Sequence, residues 1–455
     1  MKKLFILILL LSSFLTGFSQ AIELKTENFN FETGSVEFVN YKGRQSIKIG
    51  SNAKPVEIKD LNFSNGIIEY DVEPIPGTFS NGIYFHRKDE NEQEIVYLRV
   101  FKMNDKLANE AVQYAPYFDG VNMWDMYPQY QGPANIKADW NHMKLVISGK
   151  RMKVYCNEKE VLDIPELEGR LSDGKIAFDG NSYVSNIVVK TNITEGLHLE
   201  PLPDLTDHQS NFIRDWAVTS PTLLVKGKDV IKDDLPDNAM YTQSISAERF
   251  GLINLTKVHG KSTERRVIWL KAVVESKVAQ SIELEMGFSD ELWLFLNNNM
   301  VYVDKNLYMQ DMKKYPRGRI STENGSVLLN LKEGANELTM AVANDFYGWG
   351  LIARLKSVDN LTNIRKFTPA PVMVIENINQ YLGEYASNSV PIIVKISNAD
   401  GQLVAHATNQ EPLTFSYAGN HRFINEKEGI TLEFKPSEGK LLVAEGNQQY
   451  QFDKK

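Results

Sequence analysis

Cysteine is almost absent from this chain of 455 residues, in which Cys156 is the only example. A single cysteine excludes a disulfide within the chain, so the fold must be stabilised by buried apolar side chains and hydrogen bonds. The length is enough for roughly two to four separate hydrophobic cores. We therefore expect several domains without covalent cross-links.

Long hydrophobic runs and an excess of positive charge are also lacking. After the first 19 residues, no segment approaches the ~18 uninterrupted apolar residues of a membrane-spanning helix. Lys and Arg number 50 against 58 Asp and Glu, which gives a formal net charge of −8. This balance argues against nucleic acid or an anionic membrane surface as the main partner. We expect a neutral ligand and no membrane insertion.

The motifs of common hydrolases are missing as well. The chain has no Gly-x-Ser-x-Gly and no His-Glu-x-x-His pattern. Two Ser-x-x-Lys matches occur, at residues 51–54 and 437–440. Pro55 directly follows the first and Gly439 lies within the second, so neither match can place serine and lysine on one helical turn. The seven histidines are scattered along the chain. The sequence predicts neither a nucleophilic serine nor a metal centre built from histidine and cysteine.

The amino terminus has the pattern of a secretory signal peptide. Lys2 and Lys3 precede an apolar run at residues 4–11, and the small residues Gly17 and Ser19 offer a cleavage site before Gln20. A short apolar run with these flanks is typical of a cleaved signal. We expect residues 1–19 to be removed and the mature protein to be secreted or periplasmic.

Residues 20–190 contain a series of short runs in which apolar and polar residues alternate, which is typical of strands with one buried face. The clearest runs are residues 36–39, 45–49, 66–74, 82–87, 94–101, 140–147, 151–156, 174–178 and 185–190. Residues 148–150 include Gly149 and predict a hairpin between two of these runs. No helical periodicity interrupts the series, so the sequence predicts an antiparallel β domain.

This order of strands resembles the concanavalin A-like jelly roll of laminin-G-type and bacterial sugar-associated domains, including the keto-disaccharide-hydrolase-like group. The resemblance is carried by residues 66–72, 81–87, 139–145 and 186–189. It implies a jelly roll but no single activity, because the same fold carries lectins, hydrolases and adhesion modules. It also implies no catalytic cofactor, although this fold often holds a structural calcium, for which Asp179 and Asn181 are candidate ligands.

The remainder of the chain predicts two further β domains joined by linkers. Residues 191–209 and 361–376 have the proline-containing composition of linkers. Residues 210–360 resemble the galactose-binding-like β-sandwich found beside glycoside hydrolase domains. Residues 377–455 are similar to the small β-barrel that trails serine β-lactamase-like proteins, here without that catalytic domain. The predicted fold class is all-β, with a concanavalin A-like jelly roll, a middle β-sandwich and a C-terminal small β-barrel.

Residues 114–130, called here the aromatic segment, are predicted to lie in a loop that follows the run at residues 94–101, and they form the most prominent candidate binding site. The segment is rich in rings and hydrogen-bonding groups, and three residues of neighbouring strands can line the same hollow. Sugars present apolar C–H faces surrounded by hydroxyl groups, which suits such a surface. The predicted carbohydrate-binding residues are Tyr114, Tyr117, Trp124, Asp125, Tyr127 and Tyr130 of the segment, with His86, Arg87 and Arg99.

Two other interpretations remain open. Glu69, Asp71 and Glu73 share one face of a strand, as do the carboxylates of retaining glucanases, and they predict a glycoside hydrolase. Their early position in the domain and the following Pro74 instead favour an exposed strand face. The second alternative is a structural or protein-adhesion role in which the aromatic segment contacts another domain. The sequence favours a non-catalytic carbohydrate-binding protein over both.

The middle sandwich offers a second aromatic platform. Tyr347 and Trp349 lie in a glycine-containing turn, and Trp293 lies within an apolar strand. Because an apolar strand is usually buried, we expect Trp293 in the core, whereas the turn is compatible with either burial or exposure.

Overall fold

The computed structural model describes residues 18–103, 105, 107–309, 311–369, 377–399, 401–446 and 448–455. Residues 1–17, which make up most of the predicted signal peptide, lie outside this set, as do residues 370–376 of the predicted second linker. Within the described residues, no helix has the length and apolar character needed to cross a membrane.

The all-β fold class is confirmed, because strands build three successive units along the chain. The strands of the first unit are β1 (Phe18–Ala21), β2 (Phe29–Asn30), β3 (Val36–Tyr41), β4 (Arg44–Ile49), β5 (Val56–Ile58), β6 (Gly66–Pro74), β7 (Ser80–Arg87), β8 (Gln93–Arg99), β9 (Val112–Phe118), β10 (Val121–Asn122), β11 (Gln131–Gly132), β12 (Asn141–Ser148), β13 (Arg151–Cys156), β14 (Lys159–Ile164), β15 (Lys175–Asp179) and β16 (Ser182–Thr191).

The first unit is a jelly roll of two antiparallel sheets. The first sheet has the strand order β14-β13-β12-β6-β16-β4-β3, with β1 paired to β16. The second sheet has the order β10-β9-β8-β7-β15-β5-β2, with β11 paired to β9. The predicted hairpin is present, since Ser148 pairs with Arg151 across residues 149 and 150.

Each sheet has a core face and an outer face, because successive side chains along a strand point to opposite sides. In the core, the rings of Tyr70 and Phe178 meet edge to face with centroids 5.1 Å apart. Their sequence neighbours Asp71 and Asp179 therefore lie on the two outer faces. The first sheet carries the former and the second sheet the latter.

The structure corrects the interpretation of residues 112–118 as part of a loop. They form β9, which pairs with β8 in the second sheet. Val112, Tyr114 and Phe118 point into the core and are completely buried. Pro116 and the short polar residues around the segment suggested a loop, but the alternation of buried side chains and the pairing with β8 decide the local structure.

The second unit is a β-sandwich with one short helix. Its elements are β17 (Asp215–Val218), β18 (Thr222–Leu223), β19 (Gln243–Ser246), β20 (Ile253–Asn254), α1 (Leu255–His259), β21 (Arg266–Ser276), β22 (Gln280–Ser289), β23 (Glu291–Leu296), β24 (Asn299–Lys305), β25 (Gly325–Leu331), β26 (Gly334–Asn344), β27 (Gly350–Leu355) and β28 (Leu361–Lys366). One sheet has the order β19-β17-β21-β26-β23-β24, with β18 and β28 also paired to β21, and the other has the order β20-β27-β22-β25.

Two details of the sandwich bear on the sequence predictions. Trp293 and Trp349 are both 1% exposed, so neither offers a platform to a ligand, whereas Tyr347 is 46% exposed. Strand β28 lies within residues 361–376, the range predicted as the second linker, and pairs with β21. The sandwich therefore extends to Lys366.

The third unit is a closed barrel. Its strands are β29 (Gly383–Ala386), β30 (Ile393–Ala399), β31 (Gln402–Ala407), β32 (Leu413–Gly419), β33 (Arg422–Asn425), β34 (Ile430–Lys435), β35 (Lys440–Glu445) and β36 (Gln448–Lys454). Short 3-10 helices lie at Thr26–Asn28, Val100–Lys102, Pro128–Tyr130, Lys232–Asp234, Asn238–Met240, Arg249–Gly251, Ile378–Tyr381 and Pro436–Glu438.

The jelly roll and the sandwich share one hydrophobic core. Phe212, Leu252, Ile320 and Ile352 of the sandwich belong to the same cluster of buried side chains as the interior of the jelly roll. An ion pair between Arg249 and Glu166, at 3.2 Å, also crosses the junction. The two units are therefore held together by burial of apolar surface, the dominant favourable contribution to such contacts.

The close packing of strands in the first sheet can be tested at Gly66. A Cβ atom at this position would lie 2.1 Å from the Lys190 carbonyl oxygen, whereas a Cβ atom at Gly43 would meet nothing within 4 Å. Both glycines have positive φ, 137° and 76° respectively, so both alanine variants carry backbone strain. We expect Gly66→Ala to lower the free energy of unfolding by about 2 kcal/mol more than the control Gly43→Ala, measured by urea denaturation. Equal losses in the two variants would contradict this packing.

Candidate functional site

The buried tyrosines of the aromatic segment belong to the core of the jelly roll. Tyr114, Tyr127 and Tyr130 are each at most 2% exposed. Tyr130 donates a hydrogen bond to Glu168 at 2.7 Å, and Tyr114 donates one to Glu94. These rings satisfy the interior of the protein and present no face to a ligand.

Tyr127, Trp124 and Asp125 bind the middle sandwich. The Tyr127 hydroxyl donates to Glu248 at 2.8 Å. The Trp124 ring is 8% exposed and packs edge to face against Tyr308, with centroids 4.9 Å apart. The Asp125 carboxylate accepts a hydrogen bond from the Gly348 backbone N–H at 3.1 Å.

These positions correct the expectation that the aromatic segment lines an open hollow. Tyr114 and Tyr130 instead fill the interior of the jelly roll, and Trp124, Asp125 and Tyr127 form the interdomain contact that the sequence allowed as an alternative. The physical reason is that the sandwich supplies the apolar surface that the segment lacks within its own domain. Tyr117 differs from the others, since it lies on the outer face of the second sheet and is partly exposed.

His86, Arg87 and Arg99 have different positions. His86 has a φ of 43° at a β-bulge, where the pairing of β7 with β15 shifts register. The bulge turns its ring inward, and Nδ1 lies 2.8 Å from Glu94. Arg87 and Arg99 reach the outer face of the second sheet, where Arg87 donates to Glu57 at 3.1 Å and Arg99 donates to the Tyr97 hydroxyl at 2.8 Å. The structure therefore brings the two arginines to the predicted face and places the histidine inside.

The carboxylates of the glycoside hydrolase alternative lie on the outer face of the first sheet, on the opposite side of the jelly roll. Glu69 pairs with Lys190 at 3.0 Å, Glu73 pairs with Lys42 at 2.8 Å, and Asp71 pairs with Arg44 at 2.7 Å.

Asp71 also accepts hydrogen bonds from His142 and Asn186. Burial alone would raise the pKa of Asp71, but these hydrogen bonds lower it by more, so the pKa lies below its usual value. Asp71 is therefore held as an ionised, paired carboxylate. The three carboxylates form a salt-linked strand face. The expectation that this face is exposed is wrong for Asp71 and Glu73, which are 8% and 6% exposed because Arg44 and Lys42 lie against them.

A different group of side chains meets at the junction between the second sheet and the sandwich. The rings of Tyr84 and Tyr117 lie 6.0 Å apart, those of Tyr308 and Phe346 stack at 5.8 Å, and those of Phe346 and Tyr347 meet edge to face at 4.3 Å. We call this group, together with Asp179, the junction cluster; its members are Tyr84, Tyr117, Asp179, Tyr308, Phe346 and Tyr347. Tyr117, Tyr308 and Phe346 are partly exposed, and Tyr347 is the most exposed ring.

Gly82 lies in the second sheet beside these rings. It pairs with Asp179 on one side and Tyr97 on the other, so the three residues form one row across the sheet. A Cβ atom at Gly82 would lie 2.8 Å from the Ile95 side chain. Neighbouring side chains therefore pack closely over Gly82, next to the residue that carries the carboxyl of the cluster.

Asp179 is the titratable group of the junction cluster. Its carboxylate accepts a hydrogen bond from the Tyr84 hydroxyl at 2.7 Å. Burial raises the pKa of Asp179 to about 6. A carboxyl with a pKa near neutrality can both accept and donate a proton, which is the requirement for acid–base chemistry.

Asp179 and Asn181, the candidate calcium ligands, both accept hydrogen bonds within the protein. The Asp179 carboxylate is used by Tyr84, and the Asn181 carbonyl accepts hydrogen bonds from Thr78 Oγ1 at 2.7 Å and from the Ile75 N–H at 3.1 Å. Among the residues that the structure describes, no group of three or more His, Cys, Asp or Glu side chains is arranged to hold a metal ion.

Sequence reasoning missed half of the junction cluster, namely Tyr84, Tyr308 and Phe346. In strand β7, Tyr84 lies between the core residues Ile83 and Phe85, so the alternation of the strand predicts that Tyr84 points outward. Tyr308 and Phe346 come from loops of another domain, and no pattern in the sequence predicts which surface those loops cover. Tyr347 was recognised as a candidate, but not its proximity to the jelly roll.

Residues 45–190 match the family model described as the 3-keto-alpha-glucoside-1,2-lyase-like domain. The predicted resemblance to the keto-disaccharide-hydrolase-like group is thus confirmed for this part of the chain. The first domain is a jelly roll that resembles this family. The resemblances of the middle sandwich and of the barrel stay predictions.

Several solved structures resemble the jelly roll at low identity. Carbohydrate-binding module CBM66 from Bacillus subtilis is 14% identical, covers 36% of this chain and 93% of its own, and has a TM-score of 0.25. A putative glycosyl hydrolase from Parabacteroides distasonis is 13% identical over 38% of this chain and 99% of its own, with a TM-score of 0.28. The Bacillus licheniformis β-glucanase is 10% identical; the match covers 39% of this chain and 98% of the glucanase, with a TM-score of 0.28. Likenesses this remote carry no argument about ligand or activity, and no curated protein sequence matches the chain significantly.

Two buried carboxyls hold the loop that carries Phe346 and Tyr347. Asp290 accepts the Phe346 N–H at 2.6 Å, and Asp125 accepts the Gly348 N–H. Burial raises the pKa of Asp125 to about 7, and one of its carboxylate oxygens has no hydrogen-bond partner. Burial also raises the pKa of Asp290. The position of the loop therefore depends on two acids that resist ionisation.

The raised pKa of Asp125 predicts a pH-dependent stability. Between its ordinary value of 3.8 and about 7, the folded protein keeps a proton that the unfolded chain releases, so the free energy of unfolding falls as pH rises through this window. We expect Asp125→Asn to reduce that fall by on the order of 1 kcal/mol or more, measured by urea denaturation between pH 4.5 and pH 7.5.

Asp345→Asn is the matched control, because Asp345 lies in the same loop with an exposed side chain. It should keep the pH dependence of the wild type. An unchanged pH dependence in Asp125→Asn would show that Asp125 titrates at its ordinary pKa.

Proposed function

We propose that this protein binds carbohydrate at the junction cluster, between the second sheet of the jelly roll and the loops of the middle sandwich. The observation that carries the proposal is the meeting of partly exposed rings from both domains beside the Asp179 carboxyl. Tyr347 is 46% exposed, which is uncommon for a ring in contact with other rings. The match of residues 45–190 to a sugar-related family model supports the same ligand class.

The chemistry of the junction cluster suits a sugar. The rings of Tyr117 and Tyr347 offer flat apolar surfaces to C–H groups. Asp179 and the Tyr117 hydroxyl, which accepts a hydrogen bond from Asn122 at 3.2 Å, offer polar partners to sugar hydroxyls. Apolar rings with a few oriented polar groups are typical of small-ligand recognition. We place the protein outside the cytoplasm on the pattern of residues 1–19.

Glycan-array binding of the mature chain tests this proposal. We expect the wild type to bind a defined class of glycan and Tyr347→Ala to weaken that binding about tenfold or more, because one stacking surface is lost. The control is Tyr155→Ala, which removes a partly exposed ring from the outer face of the first sheet. Absence of glycan binding by the wild type, or equal losses in the two variants, would contradict a site at the junction.

A second candidate function is an elimination reaction on a 3-keto-glucoside. The family description names a 1,2-lyase-like domain, and Asp179 has the pKa of an effective general base. The carboxylate would take the proton from C2, which is acidified by the neighbouring C3 carbonyl. The C1–O bond would then break, its electron pair leaving with the glycosidic oxygen, which takes up a proton while C1 and C2 form a double bond.

Release of p-nitrophenol from p-nitrophenyl 3-keto-glucoside measures this reaction. We expect Asp179→Asn to lower kcat by roughly 10²–10⁴-fold with little change in ligand affinity, since the amide keeps the shape but cannot accept a proton. Asp163→Asn, at an exposed carboxylate on the outer face of the first sheet, should retain activity. If the wild type releases no p-nitrophenol, the lyase candidate fails and the binding proposal stands alone.

A further inference from the structure

Arg319 is a buried cation at the junction between the two domains. It is 6% exposed, and its guanidinium lies 5.0 Å from the centre of the Trp124 ring. Its Nε atom is enclosed and makes no hydrogen bond, and within the described residues the side chain has no ion pair. An unpaired buried charge is strongly unfavourable, so such a group needs a reason to be kept.

Arg99 lies close to Arg319 and also lacks a carboxylate partner. It is 5% exposed and donates hydrogen bonds to the Tyr97 hydroxyl at 2.8 Å and to the Glu110 carbonyl oxygen at 2.6 Å. The Glu110 carboxylate pairs with Lys102 at 2.8 Å instead. Burial, and then the neighbouring charge of Arg99, lower the pKa of Arg319.

The other acid that faces Arg319 is Asp125. Because the pKa of Asp125 is about 7, a large fraction of this carboxyl is protonated near neutral pH, and Asp125 neutralises Arg319 incompletely. The two arginines therefore concentrate positive charge at one point of the junction, although the chain as a whole is acidic.

This positive charge borders the junction cluster. Trp124, which lies under the Arg319 guanidinium, also packs edge to face against Tyr308 at 4.9 Å and Tyr347 at 5.9 Å. The guanidinium therefore contacts a ring that in turn contacts two rings of the junction cluster. A guanidinium fork binds carboxylate and sulfate oxygens in pairs, which makes arginine the usual partner of such groups.

We propose that the carbohydrate ligand carries an anionic substituent, a carboxylate or a sulfate ester, that is bound by Arg319 with the support of Arg99. This inference rests on the proposed function and specifies its substrate class as an acidic glycan. It replaces the expectation of a neutral ligand, which followed from the net charge of the chain and not from the charge at the site.

Calorimetry with matched ligand pairs tests the inference. The first pair is trigalacturonate and its methyl ester, in which each carboxylate is replaced by a neutral ester. The second pair is a sulfated carrageenan tetrasaccharide and its desulfated form. We expect one acidic member to bind at least about tenfold more tightly than its neutral counterpart, with an affinity that falls as salt is raised. The pair that shows the preference identifies carboxylate or sulfate.

Arg319→Met removes the charge but keeps an apolar side chain over Trp124. It should abolish the preference for the acidic ligand, whereas Arg317→Met, at an exposed position in the same loop, should retain it. Without ligand, Arg319→Met should also raise Tm by a few degrees, because an unpaired buried charge is lost. A fall in Tm together with an unchanged ligand preference would assign Arg319 a structural role and overturn the inference.

The two proposals fail in different ways. Tyr347-dependent binding of neutral glycans, with no preference for either acidic member, would overturn the anionic substituent and leave carbohydrate binding intact. Absence of binding by every glycan tested would remove the proposed function and this inference with it.

Discussion

The apolar contact between the jelly roll and the middle sandwich is the constraint on which the rest of the structure depends. Phe212, Leu252, Ile320 and Ile352 continue the interior of the jelly roll across the domain junction. A shared core fixes the two domains relative to one another, because separating them would expose apolar surface at a cost of about 25 cal/mol per Å². The loops of the sandwich are thereby positioned over the second sheet.

The two outer faces of the jelly roll consequently have different roles. The first sheet keeps a polar outer face on which acidic and basic side chains neutralise one another, as Asp71 and Arg44 do. Loops of the middle sandwich partly cover the second sheet, and the charged groups beneath them are not neutralised in the way that Arg44 neutralises Asp71. Asp125, Asp179 and Arg319 all have pKa values moved by burial in the direction that disfavours charge. Groups of this kind are concentrated in functional sites more often than on ordinary surfaces.

Much of the fold could be predicted from the sequence, because its signals are local. The alternation in residues 66–74 depends only on the two faces of a strand, and the hairpin at Gly149 depends only on a tight turn. The strand β9 was missed because Pro116 and the polar residues nearby have the composition of a loop. Its pairing with β8 and the burial of Tyr114 are tertiary effects that composition does not contain.

The sequence by itself determined the all-β class, the order of three β units and the sugar-related type of the first domain, since these follow from periodicity, turns and short motifs. Only the tertiary structure decided which aromatic residues are available to a ligand. Tyr114 and Tyr130 are buried and Tyr347 is exposed, although all three are tyrosines. The reason is that burial depends on surfaces that meet from distant parts of the chain, and Tyr308 and Phe346 meet the second sheet only because the shared core holds the sandwich against the jelly roll.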